Sequence, residues 1–250
     1  MLLIQNLSKN YYTKSGEIKA ISNINLEIQE GEFISIIGPS GCGKSTLLSI
    51  MAGLTDATSG KISINNVPIK KQIHIGYMLQ KDHLFPWRTI EKNILLGLEI
   101  QKKINKTNIE YTNELIEKYG LSEFKKNRPS ELSGGMRQRA ALIRTLATRP
   151  QILLLDEPFS ALDYQTRLNV SLEVQQILKT EGKTAILVTH DIAEAISLSD
   201  RIVVLTQRPS TILSIHNIEM EQNAVERRQM PLFSKYFEKI WKELQNNEDY

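Results

Sequence analysis

The stretch Phe33-Ile34-Ser35-Ile36-Ile37-Gly38-Pro39-Ser40-Gly41-Cys42-Gly43-Lys44-Ser45-Thr46 decides the fold. Phe33 to Ile37 is apolar and strand-length, and Gly38 to Ser45 then runs glycine, four residues, Gly-Lys-Ser before an apolar helix over Thr46 to Leu54. Strand, glycine loop and helix in that order are the context a phosphate-binding loop requires. Its glycines let the backbone curl, so that successive N–H groups and the helix N-terminus point at an anion where side chains would obstruct it. Lys44 is expected to reach β- and γ-phosphates, Ser45 to ligate Mg²⁺ and Thr46 to help position that end. Cys42 sits inside the loop and reads as a tolerated small residue with no chemical role, although a bulky thiol reagent there is expected to block nucleotide entry and prior ATP to protect.

Working outward, Ile73 to Leu79, Ile152 to Leu155, Ala185 to Val188 and Ile202 to Leu205 also read as strands, with helical segments between them, which makes the chain α/β. The runs ending at Ile37, Leu155 and Val188 are nearly continuously apolar, as in a parallel sheet covered on both faces. Met1 to Glu30 instead alternates around Leu2, Ile4, Leu7, Ile24, Leu26 and Ile28 and reads as an antiparallel layer. From Pro86 to Ala147 strand signals vanish, while Ile90, Ile94, Leu95 and Leu98, then Ile109, Leu115 and Ile116, recur near helical spacing. A short β segment is expected around Ile212 to Ile218, followed by an amphipathic end from Leu232 to Leu244. The division expected is a core of 1–85 and 148–215, a helical subdomain of 86–147 and a tail of 216–250, all within one domain.

Carboxylates and polar groups fall at strand ends, where α/β sheets place their ligands. Asp156 follows an apolar strand and suits the Mg²⁺ shell, while Glu157 can polarise an attacking water. His190 follows another strand and Gln80 a third, so each is a candidate for the γ-phosphate, the metal or the water. His74, His83 and His216 have no such context and read as surface or packing residues. A second glycine-rich helix start, Leu132-Ser133-Gly134-Gly135-Met136-Arg137-Gln138, is also able to hold an anion. One nucleotide needs only one such loop, so the second points to a partner chain.

The 31 basic and 28 acidic residues of the 250 give a net charge of +3 with no basic block, so nothing announces nucleic acid. One cysteine excludes an internal disulfide and suits a reducing cytosol. The apolar runs are far shorter than the roughly 18 residues of a membrane-spanning helix, so membrane association is expected only through a partner.

Read in order, Gly38 to Thr46, Gln80, Leu132 to Gln138, Asp156-Glu157, Ser160-Ala161-Leu162-Asp163 and His190 resemble the ATP-binding subunits of ABC transporters. The resemblance extends to about Pro209 and includes Leu-Ser-Gly-Gly, which separates these ATPases from other P-loop proteins. It implies a RecA-like P-loop core with an antiparallel β layer and an inserted helical subdomain. It further implies ATP and Mg²⁺ as ligands, Tyr11 or its neighbour Tyr12 on adenine, Gln80 as the Q-loop glutamine, Ser160 to Asp163 as the D-loop and His190 as the switch histidine. Ser133, Gly134 and Gly135, with Gln138 and Asp163, would contact ATP held by a second copy in a head-to-tail homodimer.

Leu84-Phe85-Pro86-Trp87-Arg88-Thr89, Tyr164-Gln165-Thr166-Arg167 and His190 to Ala195 look like importers of the nitrate, sulfonate and taurine type. These pair two ATPases at the cytoplasmic membrane face with a permease dimer and, indirectly, an extracytoplasmic solute-binding protein. Leu84, Phe85 and Trp87 would then meet the permease. The competing readings are a soluble ABC ATPase acting on nucleic acid or ribosomes, a nucleotide-binding module without turnover, and an exporter-associated ATPase. A single cassette with only a modest segment between Gln80 and Ser133 disfavours the first.

Overall fold

The computed structural model describes residues 1–14, 16–69, 75–160 and 162–248. The chain forms two compact units, Met1–Ile73 with Leu178–Tyr250, and His74–Ile177.

The first unit opens with strands β1 (Leu2–Thr13) and β2 (Gly16–Ile28), which pair antiparallel. Downstream of them lie β3 (Phe33–Ile37), helix α1 (Lys44–Met51), β4 (Ser59–Ile64) and β5 (Val67–Pro68). β4 lies antiparallel on the other side of β1 and carries β5 at its edge. Leu2 faces Ile28 and Ile64, and Ile4 faces Leu26 and Ile62, so one face of this layer is buried hydrocarbon. Alternation would turn Leu7 outward, yet it is fully buried. A register shift between Ile4 and Leu7, with Asn6 at φ 49°, swaps the face as a bulge does. Opposite it a Cβ on Gly60 would lie 2.4 Å from the Asn6 carbonyl oxygen, so only glycine fits.

The phosphate loop hangs from a different sheet. β3 lies parallel to two later strands, β8 (Thr184–Val188) and β9 (Arg201–Leu205), and every residue of β3 and β8 is buried, which explains their uninterrupted apolar sequence. β10 (Ile212–Asn217) closes this edge antiparallel to β9. Helix α7 (Ile192–Leu198) follows β8, capped by Asp191, whose Oδ1 accepts the Glu194 N–H at 3.0 Å. The end of the chain forms α8 (Ala224–Gln229) and α9 (Pro231–Glu248). Ile240 of α9 is fully buried in a cluster with Ile37, Ile192, Ile196, Val204 and Met220, so the tail packs on the core. Arg227 of α8 is buried and donates to the Ser199 carbonyl at the end of α7 at 2.7 Å and to that of Gln222, just before its own helix, at 3.0 Å.

In the second unit β6 (Ile75–Met78) runs parallel to β7 (Ile152–Asp156). Between them come helices α2 (Ile90–Ile94), α3 (Leu96–Ile100), α4 (Lys106–Lys118) and α5 (Gly134–Ala147), and β7 is followed by α6 (Tyr164–Thr180). Thr112, Leu115 and Ile116 form the buried stripe of α4, which explains the helical periodicity. Of the strand expected over Ile73 to Leu79, Ile73 and His74 lie outside the described residues.

Candidate functional site

The phosphate loop takes its shape from three glycines under different constraints. A Cβ on Gly38 would sit 3.1 Å from Leu205 Cβ and its carbonyl oxygen, so glycine lets the loop leave β3 close against β9. Gly41 (φ 73°) and Gly43 (φ 119°) adopt backbone that other residues resist. The Cys42 N–H turns inward to the Pro39 carbonyl at 3.3 Å. Lys44 is buried, and its Nζ donates to the carbonyls of Gly38 at 2.8 Å and Pro39 at 2.9 Å, which fixes the ammonium across the loop. Ser40 and Ser45 are exposed at the surface of the loop and Thr46 is half-buried.

Cys42 is enclosed by the loop. It is buried, and burial pushes its pKa up although Lys44 Nζ, 3.9 Å away, pulls the other way. Burial and a raised pKa both lower the reactivity of a thiol, and Cys42 joins the loop through its backbone N–H.

Tyr11 and Tyr12 point to opposite faces of β1, as neighbours on a strand must. Tyr11 is 38% exposed and Tyr12 77%, and the Lys9 ammonium sits 4.8 Å from the Tyr11 ring centroid. His190, just beyond β8, is exposed.

The carboxylates sit at the end of β7. Asp156 is buried, and the Tyr77 hydroxyl donates to its Oδ2 at 3.1 Å. Tyr77 escaped the sequence reading; the only signal was its place on the strand that ends before Gln80. Glu157 carries φ 43°, a left-handed backbone that costs a non-glycine residue about 1–2 kcal/mol. Such strain persists where surrounding structure holds it. The Gln80 amide donates to Glu157 Oε2 and to Ser160 Oγ, each at 3.3 Å, while the Ser160 hydroxyl donates to the Glu157 carbonyl at 3.0 Å. A glutamine at one strand end thus orients a carboxylate at the next, an arrangement suited to polarising water.

Ser133 is the N-cap of α5, its Oγ accepting the Met136 N–H at 3.3 Å. The first amides of a helix have no intrahelical acceptor, so those of Gly134 and Gly135 face the end of the helix beside exposed Ser133. A Cβ on Gly134 would meet Leu162 at 3.0 Å, and one on Gly135 would meet Val170 at 3.0 Å. Gln138, expected to reach a nucleotide on a second copy, is instead buried, with no partner for Oε1. Asp163 is exposed and caps α6, accepting the Thr166 N–H at 3.1 Å; hydrogen bonds from Thr166 hold its carboxyl below the usual range. Ala161 of the same loop lies outside the described residues.

Leu84 corrects a second expectation, because it is buried and offers no surface to a partner. Trp87 is 69% exposed and stacks on half-buried Phe85 at 4.9 Å. The fully buried Asn93 side chain builds this turn, accepting the Phe85 N–H at 2.6 Å and donating to the carbonyls of Phe85 and Thr89 at 3.1 and 3.0 Å.

Among the described residues no group of three or more His, Cys, Asp or Glu could hold a metal by itself. Each unit offers hard oxygen donors of the kind Mg²⁺ takes, the Ser45 hydroxyl in the first and the Asp156 carboxylate and Gln80 amide in the second. No helix among the described residues is long and apolar enough to cross a membrane.

Residues 21–160 match the ABC transporter family. The chain is 47% identical to the uncharacterized ABC transporter ATP-binding protein YtlC of Bacillus subtilis (strain 168), over 99% of this chain and 96% of that protein. It is 40% identical to the aliphatic sulfonates import ATP-binding protein SsuB of Bacillus anthracis, over 95% and 94%. The dimeric, post-hydrolysis structure of the ATP-binding cassette MJ0796 bound to ADP and Pi superimposes with a TM-score of 0.75 at 32% identity, covering 88% of this chain and all of that one. A phosphate loop on β3, a glutamine-oriented carboxylate after β7 and a serine-capped glycine helix start agree with these likenesses, and the chain belongs to the ABC transporter family as an ATPase subunit.

Proposed function

We propose that the protein binds and hydrolyses ATP to energise import of a small solute of the nitrate, sulfonate or taurine class. The observation that carries this reading is that Gln80 holds the Glu157 carboxylate at 3.3 Å directly after the buried, tyrosine-bonded Asp156. In this reading the loop amides from Gly38 to Thr46 and Lys44 cradle the phosphates, while Tyr11, the more sheltered of its pair, stacks on adenine. Mg²⁺, held by Ser45 and Asp156 with Gln80 nearby in its shell, would neutralise phosphate charge. Glu157 takes the proton of the attacking water, and His190 hydrogen-bonds the γ-phosphate.

Ser133, Gly134 and Gly135, with Asp163 at the adjoining cap, complete the site of a second identical subunit. ATP therefore favours a closed head-to-tail dimer, and hydrolysis removes that differential contact. The helices of residues 86–147 carry the movement to a transmembrane permease dimer, with Phe85 and Trp87 as the aromatic contact. A solute-binding protein outside the cell acts on this chain only through the permease, and the ATPase stays peripheral on the cytoplasmic face. The importer assignment is supported by the sulfonate-import relative and by the Leu84 to Thr89 sequence.

Steady-state phosphate release from the purified chain tests the chemistry. Glu157→Gln is expected to lower Mg²⁺-dependent turnover by about 10²- to 10⁴-fold while ATP still binds. Lys44→Ala is expected to weaken ATP binding itself. Turnover near the parental rate in Glu157→Gln would reject the assigned base.

A further inference from the structure

The turn after Gln80 is fastened to α5 by two arginines. Arg137 Nε donates to Asp82 Oδ2 at 3.0 Å, and its Nη1 donates to the Leu132 carbonyl at 2.7 Å, immediately before Ser133. Arg144 donates through Nη1 to the His83 carbonyl at 2.8 Å and through Nη2 to that of Asp82 at 2.7 Å. Asp82 Oδ1 also accepts the Leu84 N–H at 3.1 Å. His83 is held at φ 44°, so the turn keeps a conformation it would not choose without these bonds.

The Asp82–Arg137 pair is a poor source of stability, because its side chains are 26% and 35% exposed and solvent screens them. It does define geometry: the Arg137 side chain bonds both the turn carrying Asp82 and the backbone leading into the Ser133 cap. A cavity of about 360 Å³ opens beside it, lined by Lys81, Gly134 and buried Gln138.

We propose that Asp82 is a positioning residue, which through Arg137 ties the nucleotide-sensing Gln80 segment to the helix start that receives the second subunit's ATP. It rests on the function proposed above and adds a link between the two ATP sites of a dimer. With Gln80 bonded to Glu157, movement of Gln80 on nucleotide binding would pull on Asp82, Arg137 and the Leu132–Ser133 backbone in turn. Asp82 touches no nucleotide, so its loss should leave binding to the monomer intact and weaken closure of the dimer.

The test uses the full chain carrying Glu157→Gln, with dimer fraction followed by sedimentation during a Mg-ATP titration. Adding Asp82→Asn is expected to raise the ATP concentration for half-dimerisation about tenfold, Arg137→Met similarly, and both together no more than either alone. A fluorescent ATP analogue, titrated into protein too dilute to dimerise, should bind every variant within about twofold of the parent, since residues outside the nucleotide shell couple weakly to it. Dimerisation of Asp82→Asn at the parental ATP concentration, or additive effects of the two substitutions, overturns the inference alone. A Glu157→Gln parent that never dimerises overturns the proposed function and the inference with it. Should Asp82→Asn fail to fold, Arg137→Met and Arg137→Lys carry the test, with Lys expected to restore part of the loss and equal defects counting against the link.

Discussion

The two glycine-rich helix starts look alike in sequence and differ in what demands the glycine. At Gly41 and Gly43 the demand is conformational, because φ of 73° and 119° lies where a side chain is resisted. At Gly134 and Gly135 the backbone is ordinary helix, and the demand is packing against Leu162 and Val170, each 3.0 Å from a hypothetical Cβ. The first pair gives the loop its curl, while the second brings α5 close to Leu162 and to Val170 of α6. A phosphate-competent sequence pattern therefore arises from two physical causes, and only one of them can be relieved by changing a neighbour.

Gly43→Ala should give the largest effect. It puts a side chain into φ 119° and a Cβ 3.2 Å from the Ala20 carbonyl, so ATP turnover is expected to fall to background and stability to drop by about 1–3 kcal/mol in urea unfolding. No single neighbouring substitution should restore it. Gly135→Ala should cost about 1–3 kcal/mol through overpacking, and Val170→Ala in the same chain should recover part of that. Rescue of Gly43→Ala by a neighbour, or strict additivity of Gly135→Ala and Val170→Ala, would erase the distinction.

The smallest effect concerns the caps flanking the second start. Thr166 holds the Asp163 carboxyl below its ordinary pKa, so ionised Asp163 favours the folded state above the unfolded carboxylate range. That contribution disappears as pH falls through the lower folded value. Asp163→Asn retains the cap but not the charge, so it should flatten this part of the acid limb in melting temperature against pH and change little at neutral pH. An unchanged acid limb would remove Asp163 from the pH dependence.

Much of the fold was legible because β3, β8 and β9 are apolar on both faces and the phosphate loop joins strand to helix. The strands β4 and β5 were not, since Ser59 to Pro68 mixes polar residues with a bulge-facing Gly60 whose reason is a contact with Asn6. At the site, spacing pointed to Lys44, Asp156 and Glu157. It could not reveal that Tyr77 bonds Asp156, that Gln138 and Leu84 turn inward, or that Cys42 is enclosed. Those facts depend on which residues are brought alongside from elsewhere in the sequence: Asn93 builds the turn over Leu84, and the curl around Lys44 swallows the thiol.

That the second glycine start serves another copy's nucleotide is tested most directly by the mass of the Glu157→Gln protein at saturating Mg-ATP, measured by sedimentation equilibrium. A dimer that returns to monomer when ATP is replaced by ADP is the expected result. A protein that stays monomeric with ATP bound would contradict the two-site assignment of Gly38 to Thr46 and Ser133 to Gly135.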